Sequence, residues 1–359
     1  QEQGQSMWFD FIERGLLTGG GLARLVADDG VRGVTSNPSI FQAAIAGGSA
    51  YDDTLRALLG ERPDLDTIAL YEALVVEDIR LAADILRPVY EGSDGSDGFV
   101  SLEVSPHLAG DTAGTVDEAR RLWRRVDRPN LMIKVPATAA GMPAIQALLA
   151  DGINVNVTLM FSLAHYDAVA AAYLAGVERC PAPARVASVA SFFVSRVDTA
   201  VDAELERIGS AEALALRGRA AIANSLVVYR RFEEIFLGEA FAPARRRGAR
   251  VQRPLWASTS TKNPAYRDVV YVEELMGPQT VNTLPAATLE AFRDHGRLRN
   301  ALAAPTADPV ATLADLARLG IDLGAITERL QVDGVRAFAT AFDALIAALG
   351  ERRGRVLSG

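Results

Sequence analysis

Residues 131–138 read LMIKVPAT. Leu131, Met132, Ile133, Val135 and Pro136 are apolar, as in a strand buried on both faces, and Lys134 sits among them. Of the 37 lysines and arginines in the chain, only Lys134 and Lys262 are lysine. A chain that uses arginine for its surface cations has placed a lysine inside an apolar strand, and that is a specific placement.

Working outward from this strand, short β-like runs alternate with helical stretches. Eight such runs are found: MWFDF (7–11), GVTSN (33–37), FVSLEV (99–104), LMIKVP (131–136), NVNVTLM (154–160), RVASVASFF (185–193), PLWAS (254–258) and QTVNTLP (279–285). Between them, Tyr71, Val75, Ile79, Ala82 and Leu86 recur at helical spacing behind Asp66, which reads as an N-cap. Val197, Val201, Leu205 and Ile208 repeat the pattern, and LAHYDAVAAAYLAGVERC (163–180) is a good helix former. Eight alternations predict a parallel sheet, and eight strands are the number that closes a barrel. The fold class expected is α/β, a (β/α)8 TIM barrel forming one domain over residues 1–359. The stretch from about 38 to 98 exceeds one crossover and reads as two or three inserted helices. Further helices are expected from about 308 to 353.

The bulk properties restrict the function. The formal charge is −8, which argues against a nucleic-acid partner. The arginine run RRRGARVQR (245–253) goes against that trend and reads as a solvated loop. The single cysteine, Cys180, excludes an intrachain disulfide and fits a reducing, cytoplasmic setting. His107, His165 and His295 lack metal-ligand spacing, so no metal site is expected. QEQGQSMWFDFIERG (1–15) has neither the basic start nor the apolar run of a signal peptide, and no apolar run is long enough to span a membrane.

Strand alternation sorts the side chains. Lys134 shares a face with Met132 and Pro136; Ser101, Glu103 and Ser105 share one in strand three; Asn154, Asn156 and Thr158 share one in strand five. The face toward the helices must be apolar. Asp10, Asn37, Glu103, Lys134, Asn156 and Ser191 are therefore expected to point into the barrel, each in the C-terminal half of its strand. That is the end where barrel enzymes place their active sites. A lysine and two carboxylates are costly to bury without a partner or a task.

This set permits one chemistry in particular. Desolvation disfavours the ammonium form of a buried lysine, and the neutral amine adds to carbonyls to form a Schiff base. The iminium accepts electrons from the neighbouring carbon, which supports aldol cleavage and condensation. Glu103 and Asp10 suit the accompanying proton transfers. Asn37, Asn156 and Ser191 suit sugar hydroxyls, and Arg196 and Lys262 are placed to meet a phosphate at the mouth. The competing reading makes Lys134 and Glu103 a structural ion pair, Lys262 a surface residue, Arg196 a helix-end cation and Phe193 core packing.

These residues resemble the transaldolase family along the length of the barrel. GVTSNPSIF (33–41), VSLEVSP (100–106), IKVPAT (133–138), NVTLMFS (156–162), SFFVSRVD (191–198) and VNTLP (281–285) follow the family's order. PLWASTSTKNPAY (254–266) and the chain length resemble its longer bacterial branch. The resemblance implies transfer of a dihydroxyacetone unit in the pentose phosphate pathway. Sedoheptulose 7-phosphate and glyceraldehyde 3-phosphate would become erythrose 4-phosphate and fructose 6-phosphate. It implies Lys134 as the Schiff-base lysine, Asp10 as the acid/base at the C4 hydroxyl, and Glu103 acting through a water. Asn37 and Asn156 would hold the three-carbon unit, with Thr158 and Ser191 beside it, and Arg196 would bind phosphate. Some members carry a second phosphate-binding arginine after strand seven; here the loop reads STSTKN (258–263), and Lys262 is the candidate replacement. Related fructose-6-phosphate aldolases carry a tyrosine where Phe193 stands, so Phe193 resembles transaldolase. The partners implied are sugar-phosphate substrates, with no cofactor, metal, nucleic acid or membrane. The alternatives are a class I aldolase of the fructose-6-phosphate type and a sugar-phosphate-binding barrel without catalysis.

Overall fold

Parallel strands cannot be joined by tight turns, so each must return through a crossover that packs on the sheet. The computed structural model, which describes residues 2–46 and 49–358, repeats that unit until the sheet closes. The strands are β1 (Gln5–Phe9), β2 (Gly33–Val34), β3 (Phe99–Glu103), β4 (Leu131–Pro136), β5 (Val155–Met160), β6 (Ser188–Phe193), β7 (Arg253–Ala257) and β8 (Thr280–Leu284). They pair in parallel in chain order, and β8 pairs back to β1 from Gln5↔Thr280 to Phe9↔Leu284. The fold is the expected (β/α)8 barrel.

Two strands differ from their sequence reading. β1 starts two residues earlier and ends at Phe9, so Asp10 lies just past it, its amide donating to the Leu284 carbonyl at 2.9 Å. β2 is only two residues long. The Thr35 amide still reaches the Phe9 carbonyl at 2.9 Å. The chain then turns into helix Pro38–Ala46, with Asn37 Oδ1 accepting from the Ile40 amide at 3.0 Å. Gly33 is required by close approach: an added Cβ would stand 2.5 Å from the Trp8 ring, which fills the barrel interior.

The insertion holds three helices, Pro38–Ala46, Asp52–Glu61 and Thr67–Gly92. Asp66 caps the last, accepting from the Ala69 amide at 2.7 Å, and Leu70, Leu74, Val75, Ile79, Ala82 and Leu86 form its buried face. A buried polar cluster fastens the insertion to the segment after β1. Arg14 Nε donates to Asp78, Tyr51 donates to the other Asp78 oxygen at 2.7 Å, and Arg14 also reaches Thr54 at 3.0 Å. Asp78 is wholly buried.

The arginine run is only in part the solvated loop its charge suggested: Arg245, Arg246 and Arg247 are exposed, whereas 249–253 are buried or half-buried. Arg247 donates to the carbonyls of Glu178 (2.7 Å) and Cys180 (2.6 Å), at the end of helix Leu163–Arg179. Arg250 donates to Ala184 O at 3.2 Å, and Arg253 to Ser6 Oγ and Ser96 O, both at 2.8 Å. Helix ends leave carbonyls without intrahelical partners, and a guanidinium carries enough donors to satisfy several. Local sequence carries no record of those distant carbonyls.

At the opposite end, helix Leu323–Ser358 packs across the strand termini. Gln331 donates to the carbonyls of Ala137 and Leu159, while Phe338, Phe342, Leu345 and Leu349 are buried. Among the described residues, no helix is long and apolar enough to cross a membrane.

Truncating one member of a buried charged cluster leaves the others unpaired. Asp78→Ala is therefore expected to lower the unfolding free energy by about 3 kcal/mol, read as a lower urea midpoint. An unchanged midpoint would mean that Asp78 is not needed to hold the insertion, Arg14 keeping Glu77 and Thr54 as partners.

Candidate active site

Because β3, β4 and β5 run parallel and in register, Glu103 lies opposite Lys134, and Lys134 opposite Asn156. All three side chains point into the barrel near its C-terminal end, as alternation required. Lys134 is 4% exposed. Its Nζ donates to the Ser36 carbonyl at 3.0 Å and stands 3.4 Å from Glu103 Oε2. The Phe338 ring covers it, with its centroid 5.7 Å away.

Asp10 reaches the same space from β1. Its Oδ1 accepts from Thr35 Oγ1 at 2.6 Å, and Thr35 meets Thr283 at 2.7 Å. Burial pushes the Asp10 carboxyl above its ordinary range, opposed by the charge of Lys134 and the Thr35 hydrogen bond. Burial also pushes Glu103 upward, opposed by Lys134. The two carboxylates thus share one cation, and the charge of Asp10 adds to the upward push on Glu103.

The wall beyond Lys134 is a hydrogen-bonded row. Ser191 donates to Asn156 Oδ1 at 2.6 Å, and Asn156 Nδ2 donates to Ser101 Oγ at 3.0 Å. Thr158, two residues on from Asn156, has a buried hydroxyl with no partner. Asn37 is only partly available: its carbonyl oxygen caps a helix, and its amide remains for a ligand.

Arg196 begins helix Ser195–Ile208, half-buried, with its guanidinium 5.2 Å over the Phe193 ring. Phe193 itself packs on Phe161 at 5.2 Å. Burial lowers the Arg196 pKa, and among the described residues no carboxylate pairs with it. A desolvated cation without a counterion suits an incoming anion. Lys262 is exposed on the loop after β7 and donates to Ser260 Oγ at 2.8 Å. Among the described residues, no hydrogen bond or ion pair joins it to the rest of the set.

The structure therefore gathers Asp10, Glu103, Lys134, Asn156 and Ser191 directly, keeps Thr158 buried on the face of Asn156, sets the half-buried Arg196 over Phe193, and leaves Lys262 outside. Sequence reasoning missed Thr35 as the partner of Asp10, and missed Gln331 and Phe338. Phe338 is just over two hundred positions from Lys134 in the chain, on a helix whose apolar stripe signals burial without naming what it covers. Among the described residues, no group of three His, Cys, Asp or Glu is arranged to hold a metal ion.

The chain is similar to known proteins over nearly its whole length. The family model described as Transaldolase/Fructose-6-phosphate aldolase matches residues 7–349. A protein named Transaldolase from Thiobacillus denitrificans is 53% identical over 351 residues, covering 97% of each chain. One of the same name from Mycolicibacterium smegmatis is 49% identical, covering 96% of this chain and 93% of its own. Transaldolase 1 of Streptomyces coelicolor is 49% identical, covering 97% of this chain and 92% of its own. With a match that begins within β1 and ends inside the C-terminal helix, the chain belongs to the transaldolase/fructose-6-phosphate aldolase family.

Proposed function

We propose that this chain is a transaldolase that moves a dihydroxyacetone unit from a ketose phosphate to an aldose phosphate through a Schiff base on Lys134. The observation that carries the reading is the buried amine of Lys134, 3.4 Å from Glu103 and near enough to the buried Asp10 carboxyl to oppose its upward shift. The donors would be sedoheptulose 7-phosphate and fructose 6-phosphate, with glyceraldehyde 3-phosphate and erythrose 4-phosphate as acceptors. Membership of the family and the naming of its half-identical relatives support that choice.

The steps follow from the placement. The amine adds to the ketone at C2, and the carbinolamine loses its hydroxyl as water, with Glu103 passing the proton through a water molecule. Asp10 takes the proton of the C4 hydroxyl as the bond between C3 and C4 breaks. The aldose phosphate leaves, and the electron pair stays on C3 as an enamine conjugated to the Lys134 nitrogen. The enamine then adds to the acceptor aldehyde, Asp10 returns the proton, and hydrolysis frees Lys134. Asn37, Asn156, Thr158 and Ser191 hold the hydroxyls of the three-carbon unit. Arg196 binds the phosphate. Phe193, packed on Phe161 and carrying no hydroxyl, keeps water from protonating the enamine. All of this takes place in one barrel domain, in the cytoplasm, where the buried free thiol of Cys180 stays reduced.

Borohydride reduction in the presence of fructose 6-phosphate is expected to leave a three-carbon adduct on Lys134, found by peptide mass spectrometry. Lys134→Ala should abolish both adduct and turnover; near-native turnover in that variant would sink the assignment. Phe193→Tyr is expected to raise the release of free dihydroxyacetone relative to transfer, because the new hydroxyl delivers a proton to the enamine. An unchanged ratio would remove Phe193 from control of the reaction. Thr35→Val deletes a hydrogen bond that favours the Asp10 carboxylate, so the Asp10 pKa rises further. The acid limb of the kcat/KM profile should then move to higher pH, and a stationary limb would mean that Asp10 is not the group it reports.

A further inference from the structure

The C-terminal ends of β4 and β5 are joined by a residue from outside the barrel strands. Gln331 Nε2 donates one hydrogen to the Ala137 carbonyl at 2.8 Å and the other to the Leu159 carbonyl at 3.1 Å. Ala137 follows the strand that carries Lys134, and Leu159 follows Thr158 in β5. A single amide group therefore spans the two strands that present the amine and the unpartnered hydroxyl.

The Leu159 backbone needs such support. Its φ is +60°, a conformation that bulky residues rarely adopt and that persists where surroundings over-determine it. The register between β5 and β6 shifts between Val157 and Met160, so the strand bulges at this point. Bulges re-aim neighbouring side chains and occur beside active sites. Here the neighbour is Thr158, whose hydroxyl is buried without a partner on the face shared with Asn156.

The rest of the helix face conforms to the same contact. Gly334, one turn on from Gln331, lies so close that an added Cβ would sit 2.9 Å from Leu159 Cδ2 and 3.7 Å from Arg196 Nη1. Phe338, a further turn on, covers Lys134. Positions three and four apart share one helix face, so Gln331, Gly334 and Phe338 meet Leu159, Arg196 and Lys134 together.

We infer that Gln331 is a positioning residue for the transfer reaction: its amide holds the strained bulge at Leu159 and fixes Thr158 relative to Lys134. The C-terminal helix is then a wall of the site, not a cover laid over it. This inference rests on the proposed role of Lys134. Without the clamp, Leu159 relaxes toward negative φ, Thr158 turns away from the three-carbon unit, and water enters between helix and strand ends.

The test compares wild type with Gln331→Glu, which keeps the shape and loses both donors, and Gln331→Leu, which loses them without adding charge. Amide hydrogen exchange and steady-state kinetics are measured on all three. Expected are faster exchange in the segments 131–141 and 154–162 alone, kcat lower by about tenfold or more, KM nearly unchanged, and a larger share of free dihydroxyacetone. Unchanged exchange in both variants, or faster local exchange with kcat and the product ratio intact, overturns the proposal. So does a uniform rise in exchange with a fall in Tm, which would make Gln331 a general stabiliser. Absence of a borohydride adduct on wild-type Lys134 would instead defeat the transaldolase reading, and the exchange data would still decide whether the clamp exists.

Discussion

A cation inside a barrel must find its counter-charge on the neighbouring strand, and this requirement organises the whole site. Lys134 and Glu103 occupy the same rung of β3 and β4, with Asn156 on the next strand at that level. A slip of one residue would turn Lys134 toward the helices and Ile133 or Val135 into the interior. The apolar positions on both sides of Lys134 therefore do more than bury area. They make any other register costly and so keep amine and carboxylate facing each other. The same arrangement governs the two carboxyls: burial pushes Glu103 and Asp10 upward, and the shared lysine limits the rise.

The two ends of the barrel use arginine differently. At the N-terminal end, Arg247, Arg250 and Arg253 are engaged by carbonyl and hydroxyl groups of other segments, so they close the structure. At the C-terminal end, Arg196 lies half-buried over an aromatic ring without a carboxylate among the described residues. The same side chain is a structural clamp where its donors are used, and where no carboxylate takes them it stays available to an anion, the role proposed for Arg196. Barrels in general separate stability and chemistry between their faces in this way. The C-terminal helix completes the reactive end by bringing a glutamine, a glycine and a phenylalanine to the mouth.

Much of this was readable in the sequence because it depends on periodicity. Strand alternation alone placed Glu103, Lys134, Asn156 and Ser191 on the inner face, and Asp66 announced the helix it caps. The reading was weaker where a strand ends. Asp10 and Asn37 lie past their strands, and the structure had to reveal that Asn37 spends one of its polar atoms on a helix cap. It was incomplete for the arginine run, because charge density describes a segment while the carbonyls and hydroxyl that receive Arg247, Arg250 and Arg253 lie elsewhere in the chain.

What the sequence determined by itself was the barrel and the facing of its inner residues, since two-residue and helical periods are local properties of a chain. What only the tertiary structure decided was which distant groups complete the site. Thr35 beside Asp10, Phe338 over Lys134 and Gln331 across β4 and β5 are all contacts made by packing. The strained backbone of Leu159 belongs with them. No local pattern calls for a leucine at positive φ; it persists because a helix from the far end of the chain satisfies the carbonyl that the strain exposes.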